Sequence, residues 1–385
     1  MSASPQERGG ADVAVVGAGV VGLSIALHLA ERGADVVVFE RSGVGAGASG
    51  VQPGGVRQQW TTRVNCEMAR ESVGFYRDAA GRLGATTEPK LEPCGYLFVA
   101  DTDAELERLT AGVALQNECG VPSQVLTPAQ AEEVVPGLVS EGMVGAAYCV
   151  EDGYFDKPQA VVEAFGAAAM RSGARIIIGE VDRLDPCEGG WSVELRDGTS
   201  HRARQVVVAA GYDSPPLVEH LSVALPIRRD PRYLFFSEAI SERLLEPLVV
   251  APARRFAAKQ LADGRVLASD LGAAGDPSRE RGRWRQQINR GIQSLLPILQ
   301  FVSFPLLVEG FYDTTPDNQP LLGAVPGYEG LWLAAGFSGH GFMMAPAVGR
   351  RLAAAIAGDP PHPSLAELSL SRFNGAALVP ELHVV

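Results

Sequence analysis

The stretch DVAVVGAGVVGLSIALHLAERGADVVVFER, residues 12–41, leaves few folds open to this chain. A short β-branched run, glycines at 17, 19 and 22, a helical pattern to Arg32 and a second β-branched run ending in Glu40 predict a strand–helix–strand unit. Gly17 permits a tight turn. Gly19 lets backbone approach a pyrophosphate, and Gly22 lets helix and strand pack closely; Val20 and Val21 open the helix whose N-terminus faces the phosphates. Glu40, with Arg41 beside it, ends the second strand where a carboxylate can accept hydrogen bonds from ribose hydroxyls. In register, these pieces predict a site for the ADP portion of a dinucleotide and do not settle which dinucleotide. Val13 to Ala30 is almost free of charge and long enough to suggest a membrane span, but its glycines argue against one.

A chain of 385 residues with 46% hydrophobic content is expected to form one or two domains. The formal net charge of -12, with no contiguous Lys/Arg run beyond doublets, argues against nucleic acid or an anionic membrane surface as partner and favours a small ligand. Cys66, Cys94, Cys119, Cys149 and Cys187 are scattered and form no C-x-x-C pair, so neither a disulfide framework nor a metal site is expected. A cytoplasmic location follows from that usage, and residues 1–10 read as a polar tail without a signal-peptide pattern.

Two further Gly-rich stretches carry the argument. Residues 42–60, SGVGAGASGVQPGGVRQQW, show no helical or strand period and suit a chain passing beside a second, larger ligand portion, with Ala48, Ser49, Gly54 and Gly55 as candidate contacts. Near the other end, GFSGHGFMM places Gly336, Gly339 and Gly341 immediately before an Ala-rich helical pattern. Taken with GAGASG followed by a glycine pair, and with GFYDTTPDNQPLLG, these motifs resemble the FAD-dependent D-amino-acid oxidase superfamily over roughly residues 11 to 355. Within it the likeness is to sarcosine oxidases, the β subunits of heteromeric sarcosine oxidase and dye-linked proline dehydrogenase, and glycine oxidase.

The resemblance implies an α/β (α+β overall) fold: a Rossmann-like FAD-binding domain, 11–91, 153–220 and 310–358, with an inserted antiparallel-sheet substrate domain, 92–152 and 221–309, and a Pro-rich surface tail, 359–385. It implies that the Val181 backbone meets the adenine and that Ala210 and Gly211 close the dinucleotide site. It also implies that Gly336, Phe337, Ser338, Gly339, His340, Gly341 and Phe342 bring amides and a helix N-terminus against the pyrimidine edge of the isoalloxazine. A helix dipole contributes about 0.3 to 2 kcal/mol there and favours the anionic reduced ring. The implied reaction oxidises a C–N bond of a secondary or tertiary amine to an imine, with hydride passing to flavin N5 and then to O2 or another electron acceptor. No acid–base dyad is needed, only a site that favours the neutral amine.

Departures from the family are equally informative. Gly310 stands where covalent sarcosine oxidases have cysteine, and Gln52 lies in a stretch where related demethylating enzymes carry histidine, so the FAD is expected to be non-covalent. Met343 stands where simple sarcosine oxidases hold a substrate carboxylate with lysine, Tyr312 where glycine and D-amino-acid oxidases have arginine, and Trp60 where sarcosine oxidases have another arginine. Arg57 matches an active-site arginine. The candidates for the reacting end are therefore Arg57, Tyr312, His340 and Met343, with His340 open between a flavin or substrate contact and a packed imidazole. Arg228, Arg229 and Arg232 are either replacement cations or solvated, and Tyr233, Phe235 and Phe256 either pocket or core. A subunit of a heteromeric dye-linked dehydrogenase, or a non-catalytic FAD-binding assembly factor, are the alternative readings.

Overall fold

A computed structural model describes residues 10–85, 89–375 and 377–383, so most of the polar N-terminal tail lies outside the described residues. The strand Ala11–Val16 pairs in parallel with Val36–Glu40 on one side and Ser200–Val208 on the other. Arg175–Ile178 extends this sheet beyond Val36–Glu40, and Leu331–Ala335 extends it beyond Ser200–Val208, both in parallel. Continuous apolar runs such as VVVF suit strands covered on both faces. The helices Val20–Glu31, Pro158–Arg171 and Gly341–Ile356 share one core with the sheet, through Leu23, Leu27, Val161, Phe165, Val348 and Leu352.

A second sheet runs in the order Leu306–Thr314, Arg228–Ala239, Arg265–Asp270, Phe256–Gln260, Leu248–Ala251, Tyr96–Ala100, Gly145–Cys149, Ser123–Leu126. It is antiparallel except where Leu248–Ala251 meets Tyr96–Ala100. That one parallel pairing joins the two insertions, which lie far apart in sequence, into a single layer. The helix Pro277–Leu295 covers it through Trp284, Ile288 and Ile292. A small sheet of Gly55–Val56, Gly153–Phe155 and Leu91–Pro93 is built from the crossings between the two layers.

Three features differ from the sequence expectation. The stretch 42–60 contains a short helix, Ala48–Val51, and the strand Gly55–Val56. Residues 310–314 belong to the second sheet, because Leu306–Thr314 pairs with Arg228–Ala239 along its whole length, from Phe236↔Leu306 to Arg228↔Thr314. Nor is 359–385 a surface tail: Leu365 and Leu368 are buried in the first core, Arg372 pairs with buried Asp317 at 2.7 Å, and Glu381 is completely buried. Among the described residues no helix is long and apolar enough to cross a membrane; the run Val13–Ala30 is a strand, a glycine turn and most of a helix.

The helices Val20–Glu31 and Gly341–Ile356 touch so closely at Gly349 that a methyl group there would overlap the Ser24 hydroxyl and backbone. Gly349→Ala should therefore destabilise the holoprotein by about 1–3 kcal/mol through overpacking. Gly282, inside the helix Pro277–Leu295 with nothing within 4 Å of a built Cβ, is the contrasting case. Gly282→Ala should stabilise by about 0.5–1 kcal/mol, since only the helix propensity changes. Urea unfolding of both variants checks the pair; a Gly349→Ala protein as stable as wild type would show that the helices can separate freely.

Candidate active site

A cavity of about 590 Å³ runs between the two layers, from Glu40 and the glycine turn at one end to Tyr312, Lys259 and Leu267 at the other. Its nucleotide end is bare backbone. Gly17, at φ 111°, sits where a Cβ would come 2.5 Å from the Ala209 carbonyl oxygen, so the turn crosses the neighbouring strand end at a distance that only glycine permits. Gly19, Val20 and Val21 open the helix onto the cavity, with the Val20 amide donating to the Ser49 hydroxyl at 3.1 Å. The Glu40 carboxylate is aimed by two backbone donors, the amides of Ala18 at 2.9 Å and Ser42 at 3.0 Å. Arg41 pairs with Asp213 at 2.8 Å, and Ala48, Gly55, Val181, Ala210 and Gly211 complete the lining. A turn with no side chain in the way, one helix N-terminus and an oriented carboxylate fit an ADP group.

At the other end the helix Gly341–Ile356 starts at the cavity. Phe337, Gly339, His340, Gly341, Phe342 and Met343 face it. Gly339, at φ 90°, lies so close to the Tyr312 ring that a Cβ would strike it. Four expected contacts lie behind the wall and shape it instead. Gly22 packs on the Gly17 carbonyl and Gly54 on that of Phe155. The Gly336 amide donates to the Asp313 carboxylate at 2.7 Å, and the Ser338 hydroxyl accepts from the Thr315 amide at 3.3 Å. Burial raises the Asp313 carboxyl to about 6, opposed by backbone donors of the 336–338 loop.

His340 is buried with its ring edge-on to Trp60 at 4.3 Å, and neither ring nitrogen has a hydrogen-bond partner. Burial, together with the charge of Arg57, holds its pKa well below the ordinary value, so the ring is neutral. Orphaned nitrogens on a buried ring facing a cavity mark a place for a polar ligand atom. The Nε2 of Gln52, also in the lining, is orphaned too.

Arg57 lines the same end, but it is not a free cation. It donates to the Gln59 carbonyl at 2.5 Å and to the His383 carbonyl, and its guanidinium lies 3.7 Å from the centre of the Trp60 ring. Trp60 is thus fully buried beneath the cation and does not line the cavity. Arg232, 4.7 Å from the Tyr312 ring centre, lines the cavity while pairing with Asp230 at 2.9 Å; Arg229 covers Phe311 at 3.6 Å, and Arg228 lies at the exposed strand end. Tyr233 reaches the cavity, stacked on Trp284 at 4.2 Å, whereas Phe235 and Phe256 are core.

Sequence reasoning missed Lys259. It sits in the buried strand Phe256–Gln260, donates to the Pro53 carbonyl, faces the Tyr154 ring at 4.4 Å and forms no ion pair among the described residues. Burial lowers its pKa to about 7. The available signal was a lone charged residue in the short strand FAAKQ. All five cysteines are free, and no described group of three or more His, Cys, Asp or Glu side chains could hold a metal ion.

Comparison with known proteins agrees with this geometry. The family model for FAD-dependent oxidoreductases matches residues 12–355. Glycine oxidase of Geobacillus kaustophilus is 27% identical over 94% of this chain and 97% of its own length. FAD-dependent oxidoreductase domain-containing protein 1 of Xenopus laevis is 27% identical over 91% of this chain and 80% of its own. The crystal structure of L-proline dehydrogenase from P. horikoshii superposes with a TM-score of 0.87 at 26% identity, covering 95% of this chain and 98% of that one. With its glycine turn, oriented Glu40 and second helix mouth around one cavity, the chain belongs to the FAD-dependent oxidoreductase family and is a flavoenzyme that uses FAD.

Proposed function

We propose that this flavoenzyme oxidises the C–N bond of an amino acid that is a secondary or tertiary amine, an N-methyl or cyclic imino acid or a larger homologue, to the imine, passing the electrons to O2 or another acceptor. The observation carrying this reading is the pairing of two buried cations, Arg57 and Lys259, with neutral His340 and a helix N-terminus around one end of the cavity. The similarity to glycine oxidase and L-proline dehydrogenase supports an amino-acid substrate.

FAD, held by the residues lining the nucleotide end and the 337–342 loop, supplies the two-electron acceptor. The chain's own groups position the amine and control its proton. A protonated amine entering between Arg57 and a partly charged Lys259 is repelled, so the neutral form, the one able to lose hydride, is favoured. A substrate carboxylate, lacking the arginine that Trp60 and Tyr312 replace, finds Lys259 and draws it into the charged state. Met343 borders this end and sets its shape. Neutral His340 offers one donor and one acceptor and adds no charge.

Three outcomes test the reading. In an anaerobic bleaching screen over sarcosine, dimethylglycine and proline, with glycine as the primary-amine control, at least one of the first three should reduce the flavin, and Arg57→Ala should slow that step by about 10²-fold, typical of a lost electrostatic donor. No bleaching by any of those three sinks the substrate class. The second outcome concerns Lys259. Acetate binds the protonated form, and free Lys259 loses its proton near pH 7, so affinity should fall about tenfold per unit as pH rises above 7, until the pKa in the complex is reached. Lys259→Met should abolish that slope, as read from the flavin spectrum; an unchanged slope assigns it to another group. Third, acid precipitation should leave the pellet colourless, since Gly310 and Gln52 offer no covalent attachment.

A further inference from the structure

The residues after Asp359 return to the wall of the cavity. Glu381 is completely buried, and its carboxylate accepts from the Thr61 amide at 3.0 and 3.1 Å, the Thr61 hydroxyl at 2.7 Å, the Thr62 hydroxyl at 3.2 Å and the Asn65 side chain at 3.1 Å. Thr62 is the N-cap of the helix Arg63–Tyr76, and its own side chain makes no capping bond. A carboxylate more than three hundred positions away instead binds the residues around the helix start, Thr61, Thr62 and Asn65, at the positive end of the helix. Bonds to its main chain hold the same segment: the Glu381 amide donates to the Asp317 carbonyl at 2.9 Å, the Asn318 side chain to the Glu381 carbonyl at 3.1 Å and the Gln319 side chain to the Val379 carbonyl at 2.6 Å.

Two residues on, His383 stacks on Phe98 at 5.0 Å, and its carbonyl accepts from the Arg57 guanidinium. The other anchored nitrogen of Arg57 is held by the Gln59 carbonyl, which also meets the His383 ring at 3.2 Å. Neither acceptor is charged. Carbonyls fix the fork of a guanidinium without cancelling its charge, whereas a carboxylate in their place would form a closed ion pair and leave little field in the cavity. The acid that organises this corner, Glu381, spends its oxygens on the helix start and on the His383 amide at 3.0 Å; its charge favours the charged form of Arg57, but it makes no hydrogen bond to the guanidinium.

We infer that Glu381 is a positioning residue for the reaction: by anchoring residues 379–383 on Thr61, Thr62 and Asn65, it aims the His383 carbonyl at Arg57 and fixes that cation in the cavity wall. The inference rests on the proposed role of Arg57. Arginine has a long side chain with many rotamers, so a guanidinium that loses one of its two acceptors samples other orientations. Displacements of about 1 Å around a reacting centre cost up to about 10²-fold in rate.

The test uses holoenzyme carrying Glu381→Ala, Glu381→Gln, His383→Gly, Arg57→Ala and the double variant Glu381→Ala/Arg57→Ala. Two quantities are read: the midpoint potential of the bound FAD, which needs no substrate, and the rate of anaerobic reduction by whichever of sarcosine, dimethylglycine, proline and glycine bleaches the wild type fastest. Glu381→Ala should shift the potential in the same direction as Arg57→Ala and slow reduction by about 10-fold. It should add nothing in the Arg57→Ala background, because the two act as one unit. Glu381→Gln, which keeps one acceptor oxygen, should lie between Glu381→Ala and wild type. His383→Gly keeps the Glu381 carboxylate at the helix start and covers the case in which Glu381→Ala does not fold; it should slow reduction with little change in melting temperature. A Glu381→Ala protein altered only in melting temperature, or one whose effect persists undiminished without Arg57, overturns the inference and leaves Glu381 a structural partner of the helix start. If Arg57→Ala itself moves neither potential nor rate, the reading of Arg57 fails instead.

Discussion

Two helices aim their N-termini at one cavity, and the architecture follows from holding them there. Val20–Glu31 and Gly341–Ile356 run side by side, with Gly341 close to Val21 and Gly349 pressed onto Ser24. Each helix start carries about half a positive charge, so bringing two together is unfavourable unless negative charge lies between or before them. A dinucleotide provides it twice: permanently at its phosphates and, on accepting electrons, at the ring. The close contact at Gly349 keeps both mouths on the same side of the sheet. The second sheet then closes over them and turns a surface cleft into an interior cavity, where such dipoles act at low dielectric.

Much of the nucleotide end was legible because its constraints fall on backbone. A turn as tight as that at Gly17 admits only glycine, as does, at the other end, a loop as close to a ring as that at Gly339, so the physics leaves a readable spacing. The rest depends on pairings that sequence does not announce. A domain boundary at 310 follows the GFYDTTPDNQPLLG motif, whereas the pairing of Leu306–Thr314 with Arg228–Ala239 draws residues 310–314 into the second layer. Prolines at 360, 361 and 363 suggested surface, yet Leu365 and Leu368 just beyond them are core and Glu381 is buried. A single acid in a tail has no period and no motif, and only the uncapped start of the helix Arg63–Tyr76 explains it.

Two buried cations of the cavity wall are treated differently from other cations, including Arg41 and Arg232, which line the cavity and are paired with acids. Arg351 pairs with Glu71 at 2.9 Å, Arg372 with Asp317 at 2.7 Å and Arg255 with Asp270 at 2.8 Å, the usual way a partly buried guanidinium is compensated. Arg57 and Lys259 are more deeply buried and, among the described residues, have carbonyl partners and no ion pair. Burying charge without a direct ion pair costs stability even where carboxylates lie nearby, as Glu381 and Asp152 do for Arg57, and the drop of the Lys259 pKa to about 7 is the visible sign. Sites that keep such a cost are those where a ligand supplies the missing anion.

The two ends of the cavity therefore answer to different rules. The nucleotide end is lined mostly by amides, glycines and helix mouths of the first layer, where a side-chain change alters little unless it adds a Cβ. The far end is walled by side chains of the second layer, Lys259 from one strand and Tyr312 from another, reaching over to the helix mouth. Tyr312 and Gly339 are where the layers interlock, since the ring occupies the space that any other residue at 339 would need. An arginine in place of Tyr312 would thus alter more than charge: it would remove the ring that seats the 336–340 loop and would enter a space already covered by the Arg232 guanidinium, 4.7 Å from that ring. The shape of the 336–340 loop is tied to Tyr312 through that one contact, and a substitution at Tyr312 carries a change in how the loop is held.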